Sequence, residues 1–489
     1  MRKADGIMPS DAKRQHPIVI LQYTYRYLFL LLVPLWRGLL HIRTPQGLYQ
    51  WVRGTWIDLT AIVLLLTLSL LAWFRSTYAL TEQEFILCRG LFWRRLTAVP
   101  RRHVATLLVE QPFLLRPLQV VRLSIDTDAG GRRRADFRLM LHVRHTAEIL
   151  EQQPDSTHLP RFVYRAKVYR MLLLSLLSSN SLSGILLLAI TFQRAGYLLG
   201  QGFQNRLLGD IEAAAESVKV IPRTAALLAF ILIGGWSVAA IGNLLRHAPF
   251  RVIRCAGSLT IRMGAITRRE YACRLSAVSY VDMRQTLGSW LLRLRTVFIR
   301  CIGYGKAKNT LSVLIPFCRG STAADELQRL VPECRPSAIH LRPAPHSLFR
   351  YCLFPLLGMV LLYPLSLGAR ALLPDWGELI GYLTFMAYMP CLWLLAVRVI
   401  DRYTAGVSRR KGVITLRYAR LFTLHTVAVP EDKLVALRFR QSPFQRRGGR
   451  CTLLVYTYHE SRQPHRVLNL PLEKAMELLA FPLQNAKDV

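Results

Sequence analysis

Six apolar runs of about 20 residues constrain the fold of this chain more than any other feature. They occur in three pairs, and roughly 95–105 residues of mixed, basic sequence follow each pair. Because about 20 apolar residues are what a helix needs to cross a bilayer, the pattern predicts three transmembrane hairpins. The predicted spans are Ile18–Ile42, Ile57–Phe74, Met171–Phe192, Ala225–Leu245, Tyr351–Leu373 and Leu379–Val397.

Hydrophobicity and charge point the same way. Of the 489 residues, 52% are hydrophobic, yet 65 Lys and Arg against 29 Asp and Glu give a net charge of +36. A soluble chain with both properties would aggregate, whereas a membrane protein separates apolar spans from a basic face. The composition therefore excludes an ordinary soluble enzyme and a disordered chain.

The basic residues are concentrated in the long segments between the pairs. Segments 75–170, 246–350 and 398–489 hold 17, 18 and 17 Lys and Arg against 9, 5 and 7 acids. The positive-inside rule then places these segments and the N-terminal tail on the cytoplasmic side of a multi-pass membrane protein. Nine cysteines without a CxxC pair fit a reducing compartment and argue against a disulfide framework or zinc site.

Within each long segment, short alternating stretches indicate β-strands, and a helical stretch follows them. We therefore predict an α+β membrane protein in which three hairpins alternate with three small β-sandwich or barrel domains, each capped by a C-terminal helix. The predicted divisions are a tail (1–17), hairpins (18–75, 160–246 and 346–400) and β domains (76–155, 250–336 and 401–485).

The three β segments also repeat a spaced pattern. The first two segments share a turn glycine, an arginine doublet, an apolar residue and a glutamine at the same spacing, whereas in the third Arg420 stands where the glycine would be. The first two copies are Gly90, Arg94–Arg95, Val104, Gln111 and Gly264, Arg268–Arg269, Val278, Gln285; the third keeps Val429–Pro430, Leu434 and Gln441. Three copies in register indicate a repeated domain.

These residues resemble a known family. Residues 78–111, with Gly90, Arg94–Arg95 and Gln111, resemble the start of the membrane-associated type of bacterial pleckstrin-homology (PH) domain. Residues 441–447 resemble the corresponding stretch of the last domain in YdbT-like membrane proteins, in which helical hairpins alternate with such domains. The resemblance implies three PH-like domains, each a bent β-sandwich closed by a C-terminal helix, and carries over no catalytic residues.

The arginine doublets are the candidate binding residues. Arginine forks match the geometry of phosphate, and a basic surface close to anionic lipid is attracted to it. Three interpretations stay open: general positive-inside bias, an anionic headgroup or phosphate, and an acidic protein partner. The candidates are Arg94, Arg95, Arg268, Arg269, Arg446 and Arg447. The repeated glutamines are expected to bond backbone groups at a strand end or hairpin.

A second candidate lies in the membrane. Ser175, Ser179 and Ser183 follow at helical spacing and Asn180 lies near the middle of that run. A stripe of small polar residues favours close packing of helices. A polar path for a lipid or solute is the alternative.

We found no motif of a hydrolase, phosphate-binding loop or metalloprotease in the sequence, and no cofactor or metal is expected. The preferred hypothesis is a non-enzymatic scaffold for protein assembly at the membrane, with a protein partner or a second copy of the chain. The alternative is binding or handling of anionic lipids at the cytoplasmic leaflet, including a role in envelope-stress defence. Nucleic acid is not expected as a partner.

Overall fold

The structure is a computed structural model. It describes residues 12–22, 24, 45–81, 83–90, 93–127, 137–145, 160–178, 223–301, 313–458 and 464–479, with a few isolated positions between 202 and 213. The chain divides into two compact units. The first comprises residues 1–159 with 255–258 and 267–274, and the second comprises the rest of the chain to residue 489.

The first unit is built from antiparallel strands and one described long helix. Its elements are β1 (Lys13–Arg14), α1 (Pro45–Phe74), β2 (Thr77–Leu80), β3 (Glu84–Arg89), β4 (Arg95–Pro100), β5 (Val104–Gln111), β6 (Val120–Thr127), β7 (Phe137–His142) and, from later in the chain, β11 (Arg268–Arg274). They form two sheets with the strand orders β1-β2-β3-β4 and β7-β6-β5-β11. The core combines residues from both sheets, including Phe85, Leu123 and Phe137, as expected for a sandwich.

The second unit contains the remaining described elements. They are β8 (Phe162–Arg165), α2 (Val168–Ser178), α3 (Arg223–His247), β9 (Phe250–Arg254), β10 (Ser258–Met263), β12 (Val278–Thr286), α4 (Leu287–Leu291), β13 (Leu294–Cys301), β14 (Val313–Arg319), α5 (Gly320–Leu330), α6 (Leu348–Leu372), α7 (Gly377–Thr404), β15 (Gly406–Arg410), β16 (Val413–Arg420), β17 (Thr423–Pro430), β18 (Leu434–Arg440), α8 (Pro443–Arg447), β19 (Arg450–Thr457), β20 (His465–Pro471) and α9 (Leu472–Leu479).

Two sheets of the second unit matter for function. One has the strand order β14-β13-β12-β17-β16-β15 and the other β18-β19-β20. Alternating residues of β16, β19 and β20 form a core, and α9 closes it with Ala475 and Leu479, both fully buried. The expected helix after the last strand is confirmed here, and α5 occupies the corresponding place after β14. The helix expected at Thr146–Gln152 lies outside the described residues.

The segment that enters α6 lies alongside the strand that leaves α7. Leu341 and Val407 form an antiparallel bridge with two backbone hydrogen bonds. The Ser337 hydroxyl lies 2.7 Å from Ser408 Oγ, and His340 Nδ1 lies 2.9 Å from the same oxygen. Gly406 has a φ of +156°, and a Cβ there would collide with Ile339 and with the Leu341 carbonyl, so only glycine fits this close approach.

The prediction of six spans is wrong. Among the described residues, two helical stretches are long and apolar enough to cross a membrane, Leu348–Leu372 and Pro374–Thr404. Helix α1 offers only Thr60–Phe74 as an apolar stretch, and 15 residues rise about 22 Å where a bilayer core is about 30 Å thick. The run Ala225–Leu245 lies in α3, which is not one of the two. Ile18–Ile42 and Met171–Phe192 are described only in part.

Burial in protein explains part of this error. Val19, at the start of the first apolar run, is 1% exposed and packs with Val120 and Met140 of the first sandwich. Met171 and Leu174, in the third run, are also buried. Counting apolar residues does not distinguish those that cover a β domain from those that face lipid. In the two qualifying stretches, only 11% and 6% of the most apolar 18-residue window is buried in protein, as expected for helices that face lipid.

Candidate functional site

The first candidate site is a seam between two halves of the six-stranded sheet in the second unit. Strands β12 and β17 pair antiparallel over six residues, from Val281 opposite Ala428 to Thr286 opposite Thr423. The first unit contains a similar pairing of β5 with β11, in which Arg268 lies opposite Gln111. Arg268 precedes Gln285 by 17 positions and faces Gln111. In the same way, Leu424 precedes Gln441 by 17 positions and faces Gln285. The same register is therefore used twice.

A buried ion pair holds the seam. The carboxylate of Asp282, on β12, accepts a bond of 2.6 Å from Arg284 Nε and lies 3.0 Å from His425 Nδ1 on β17. Asp282 is 3% exposed. Burial by itself would raise the pKa of its carboxyl, but His425 and Arg284 lower that pKa well below its usual range. The ionised carboxylate therefore links the two strands.

Aromatic rings extend this cluster towards β20. The Tyr418 ring stacks on His425 with centroids 5.2 Å apart, and its hydroxyl lies 2.8 Å from His465 Nδ1. The Tyr280 ring meets His465 edge-on at 4.7 Å. Burial raises the pKa of both tyrosine hydroxyls, which keeps them protonated as hydrogen-bonding groups at neutral pH. The seam cluster of Tyr280, Asp282, Arg284, Tyr418, His425 and His465 thus connects the four strands β12, β16, β17 and β20 as a structural network.

The second candidate site surrounds the start of α6 and the end of α7. Near the start of α6, Arg350 Nη2 donates to Ser442 Oγ at 2.9 Å and the Tyr351 hydroxyl donates to the Leu468 carbonyl at 2.9 Å. Near the end of α7, Arg398 Nη1 donates to the Ala419 carbonyl at 3.2 Å. Both apolar helices are therefore attached directly to the strands of the C-terminal β domain.

Short exposed turns lie next to these attachments. Helix α8 follows the N-cap Ser442 and exposes Phe444, which is 81% accessible. The β16–β17 turn exposes Leu421 and Phe422. Helix α4 starts at Leu287, which packs with Val397 of α7 in one cluster, and exposes Leu291. Because α6 and α7 fix these turns beside the start and end of apolar helices, we call the set the membrane-proximal turns.

The repeated glutamines perform the expected task. Gln285 Nε2 donates to the Leu294 carbonyl at 2.9 Å, and Gln441 Nε2 donates to the Arg450 carbonyl at 2.8 Å. Each bond spans nine residues and closes the loop that contains α4 or α8. The prediction that these side chains satisfy backbone groups is confirmed for both.

Replacing Gln285 with alanine is expected to cost about 1 kcal/mol, because the Leu294 carbonyl loses its side-chain donor. Thermal unfolding of the full chain in detergent measures the effect. Gln328→Ala is the matched control, since Gln328 is exposed on α5. An equal change in both variants would contradict the role given to Gln285.

The predicted arginine doublets are not equivalent. Arg94 and Arg95 are exposed at the start of β4. Arg268 is exposed at the start of β11, whereas Arg269 Nε lies 3.0 Å from Glu110 Oε1 and is neutralised within the protein. Arg446 and Arg447 are exposed on α8, one of the membrane-proximal turns. The third doublet is therefore the one that the fold places next to an apolar helix.

Little of the predicted intramembrane stripe can be placed. Ser175 is 2% exposed and donates to the Met171 carbonyl one turn earlier in α2, at 2.9 Å. This bond satisfies its hydroxyl within its own helix. Ser179, Asn180 and Ser183 lie outside the described residues.

The structure also shows a group that sequence reasoning missed. On the sheet β18-β19-β20, Cys451, Leu453 and Val455 face the core, so Thr452 and Leu454 lie on the opposite face, where Gln445 of α8 covers Thr452. Arg440 lies opposite Thr452 and Arg466 lies opposite Leu454, on that outer face. We call Arg350, Arg398, Arg440 and Arg466 the arginine cluster.

Hydrogen bonds place the start of α6 beside the two strand arginines. Arg350 donates to Ser442, two residues after Arg440, and Tyr351 donates to the carbonyl of Leu468, two residues after Arg466. Partial burial, followed by the positive charges of Arg440, Arg398 and Arg350, lowers the pKa of Arg466. Alternation in β18, where Leu437 and Phe439 pack on the core, was a usable signal that Arg440 faces the other way. The helical half depends on how α6 and α7 attach to the domain, which the sequence does not show.

The sequence of this chain is similar to those of known proteins. A family model described as Bacterial PH domain matches residues 27–155 and 356–485, which together exceed half of the chain. The Bacillus subtilis (strain 168) protein named UPF0699 transmembrane protein YdbT is 22% identical over 428 residues, 80% of this chain and 81% of that protein. No solved structure matches the chain.

The prediction of three PH-like domains is wrong, because the family model matches two regions and not residues 250–336. That middle segment departs in a physical detail. Strands β4 and β17 end in Pro100 and Pro430, whereas β11 ends in Arg274. The Arg274 guanidinium donates to the carbonyls of Arg101 and Arg102 at 2.7 and 2.6 Å, bonds that a proline cannot make.

Proposed function

The chain belongs to the bacterial PH domain family, and from that premise we propose that it is a non-enzymatic scaffold that assembles proteins at a membrane. The chain is membrane-associated, since it resembles a transmembrane protein and has two apolar helices of spanning length. We place its β domains on the cytoplasmic side of a bacterial inner membrane. The excess of arginine and lysine in its long segments supports that orientation.

The scaffold proposal rests on one observation: strands of this chain repeatedly pair with other strands edge to edge. Strand β5 is occupied by β11 and β12 by β17, in the same register. The equivalent strand in the C-terminal domain is β18, which lies at the edge of its described sheet. Val435 on this strand is 59% exposed. An edge strand of this kind is a template for an incoming strand.

Charge indicates what the incoming strand would contain. If a second copy offered its β4 in the repeated register, Arg94 would face Gln441 and Arg95 would face Arg440. Like charges directly opposite each other destabilise a strand pair. Within the first unit, Glu110 instead faces Arg269. An acidic extended segment of another protein therefore fits β18 better than a second copy.

Site-specific photo-crosslinking of the full chain in cells tests this proposal. A photoreactive phenylalanine at Val435 is expected to give discrete adducts whose crosslinked peptides are acidic and extended. The matched control is the same group at Leu421, which is 64% exposed but lies in a turn. Adducts at both positions alike, or none at Val435, would overturn β18 as an assembly strand. Adducts of one copy with another would overturn the charge argument.

The second candidate function is binding or handling of anionic lipid at the cytoplasmic leaflet. It is favoured by helix α8, where the exposed Phe444 stands beside exposed Arg446 and Arg447. An apolar tip with adjacent cations matches the boundary between headgroups and hydrocarbon. The bond from Arg350 to Ser442 keeps α8 at the start of α6.

Replacing Arg446 and Arg447 together with glutamine is expected to weaken binding of anionic lipid by about 30-fold, because each cation near the surface contributes roughly 1 kcal/mol. Full-length protein in nanodiscs of phosphatidylcholine with a minor share of phosphatidylglycerol provides the measurement, as the lipid enrichment around the protein. The control removes Arg94 and Arg95, which are exposed elsewhere. An equal loss in both variants would show general charge attraction only.

A further inference from the structure

We propose that the arginine cluster of Arg350, Arg398, Arg440 and Arg466 is a binding site for a phosphate group, occupied by the headgroup of an anionic phospholipid. This inference deepens the second candidate function and is independent of the scaffold proposal. It names a site distinct from the exposed doublet on α8.

Strands of the C-terminal β domain form one side of the site. Arg440 and Arg466 extend from β18 and β20 on the outer face of the sheet, with β19 between them. Leu454 of β19 lies between the two strands on this face, whereas Thr452 is 4% exposed and accepts a bond of 3.0 Å from Gln445 Nε2 of α8. Strand pairing fixes both backbones, so anion binding costs side-chain entropy rather than backbone entropy.

The apolar helices supply the other side. Arg350 lies in the first turn of α6 and donates to Ser442, which follows Arg440 by two residues in the sequence. Arg398 lies near the end of α7 and is held by the Ala419 carbonyl. The cluster therefore lies where α6 and α7 would leave the hydrocarbon, which is the depth of lipid phosphates.

Within the described residues, four guanidinium groups outnumber the acid that pairs with them. Asp401 lies 3.5 Å from Arg398, and its one carboxyl cannot offset four positive charges. Burial, followed by the neighbouring cations, lowers the pKa of Arg466. A phosphate oxygen placed between the forks would accept charge-assisted bonds and relieve the repulsion.

Phosphodiester headgroups and free phosphate share this chemistry, so the test separates them. Full-length protein in neutral detergent is titrated by native mass spectrometry with short-chain phosphatidylglycerol, phosphatidylcholine and inorganic phosphate. We expect phosphatidylglycerol to bind and phosphatidylcholine not to bind. Free phosphate binding as tightly as the lipid would overturn the lipid as occupant while leaving the phosphate site in place.

Two variants decide whether the cluster is the site. Replacing Arg440 and Arg466 with glutamine is expected to weaken phosphatidylglycerol binding at least about tenfold, whereas lysine at both positions keeps the charge and loses less. The matched control replaces Arg410 and Lys411, which are exposed at the far end of the β15–β16 hairpin, and removes the same charge.

The melting temperature of every variant is measured, so that a folding defect is not read as lost binding. Unchanged binding in the glutamine variant, or an equal loss in the control, would overturn the proposal. If the cluster variant binds normally while the Arg446–Arg447 variant does not, the second candidate function survives and only this site is lost. The crosslinking at Val435 is unaffected by either result.

Discussion

Replacing Asp282 with alanine is expected to lower the free energy of unfolding of the second unit by about 3–5 kcal/mol, the range for removing one partner of a buried ion pair. The variant leaves the guanidinium of Arg284 and the ring of His425 buried without their carboxylate. It also removes a contact between β12 and β17, strands that meet from positions 143 residues apart in sequence. Thermal unfolding of the full chain in detergent gives the measurement.

Asp432→Ala is the matched control. Asp432 also has a cationic neighbour, Lys433 Nζ at 3.2 Å, but its side chain is 67% exposed. Exposed pairs of this kind contribute about 0–1 kcal/mol, so this variant should unfold nearly as wild type does. Similar losses of stability in both variants would contradict the large contribution expected of the buried ion pair in the seam.

The pH dependence of the Asp282 effect has a definite sign. The pKa of this carboxyl is lower in the folded chain than its usual value of about 3.9, so its contribution is complete above that value. The contribution is lost as the pH falls through the folded pKa. The difference in melting temperature between wild type and Asp282→Ala should therefore be constant from pH 8 to 5 and shrink below about pH 4. A difference that grows on acidification would refute the assignment.

Replacing Phe137 with alanine is expected to cost about 3–5 kcal/mol in the first unit, because the truncation leaves a large cavity. Phe137 is 1% exposed on β7, and its ring centroid lies 6.3 Å from that of Phe85 on β3. The contact joins the two sheets of the sandwich. A lowered melting temperature together with greater proteolysis within residues 76–127 would report the loss.

Phe444→Ala is the control for this experiment, since the same side chain at that position is 81% exposed. Its removal should change stability by no more than about 0.5 kcal/mol. A small effect at Phe137 would mean that the two sheets of the first unit do not share a core.

The individual strands were predictable because alternation leaves a local trace. The stretches Val120–Ile125 and Val413–Arg417 alternate between apolar and polar residues over most of their length, and each lies within an observed strand, β6 and β16. The bonds of Gln285 and Gln441 followed from their repeated spacing before a short loop. These features depend on residues a few positions apart.

The predictions of the span count and of the sites failed because both depend on residues that are distant in the sequence. Val19 and Met171 belong to apolar runs, yet each is buried against protein. The pairing of Asp282 with His425 and the approach of Arg350 to Arg440 both depend on tertiary contacts. The sequence does not distinguish Arg268–Arg269 from the other arginine doublets. Only the fold shows that Glu110 neutralises Arg269.

The bridge between Leu341 and Val407 makes the helical pair α6–α7 an insertion with adjacent ends. Backbone partners in an antiparallel bridge lie about 5 Å apart, which is the span that a tight turn closes. The chain could be cut after residue 342 and rejoined at Gly406 with a turn of two to four residues, without altering the bonds of Ser337 and His340 to Ser408. Such a shortened chain would lack both helical stretches of spanning length found among the described residues, and would show whether the C-terminal domain folds without them.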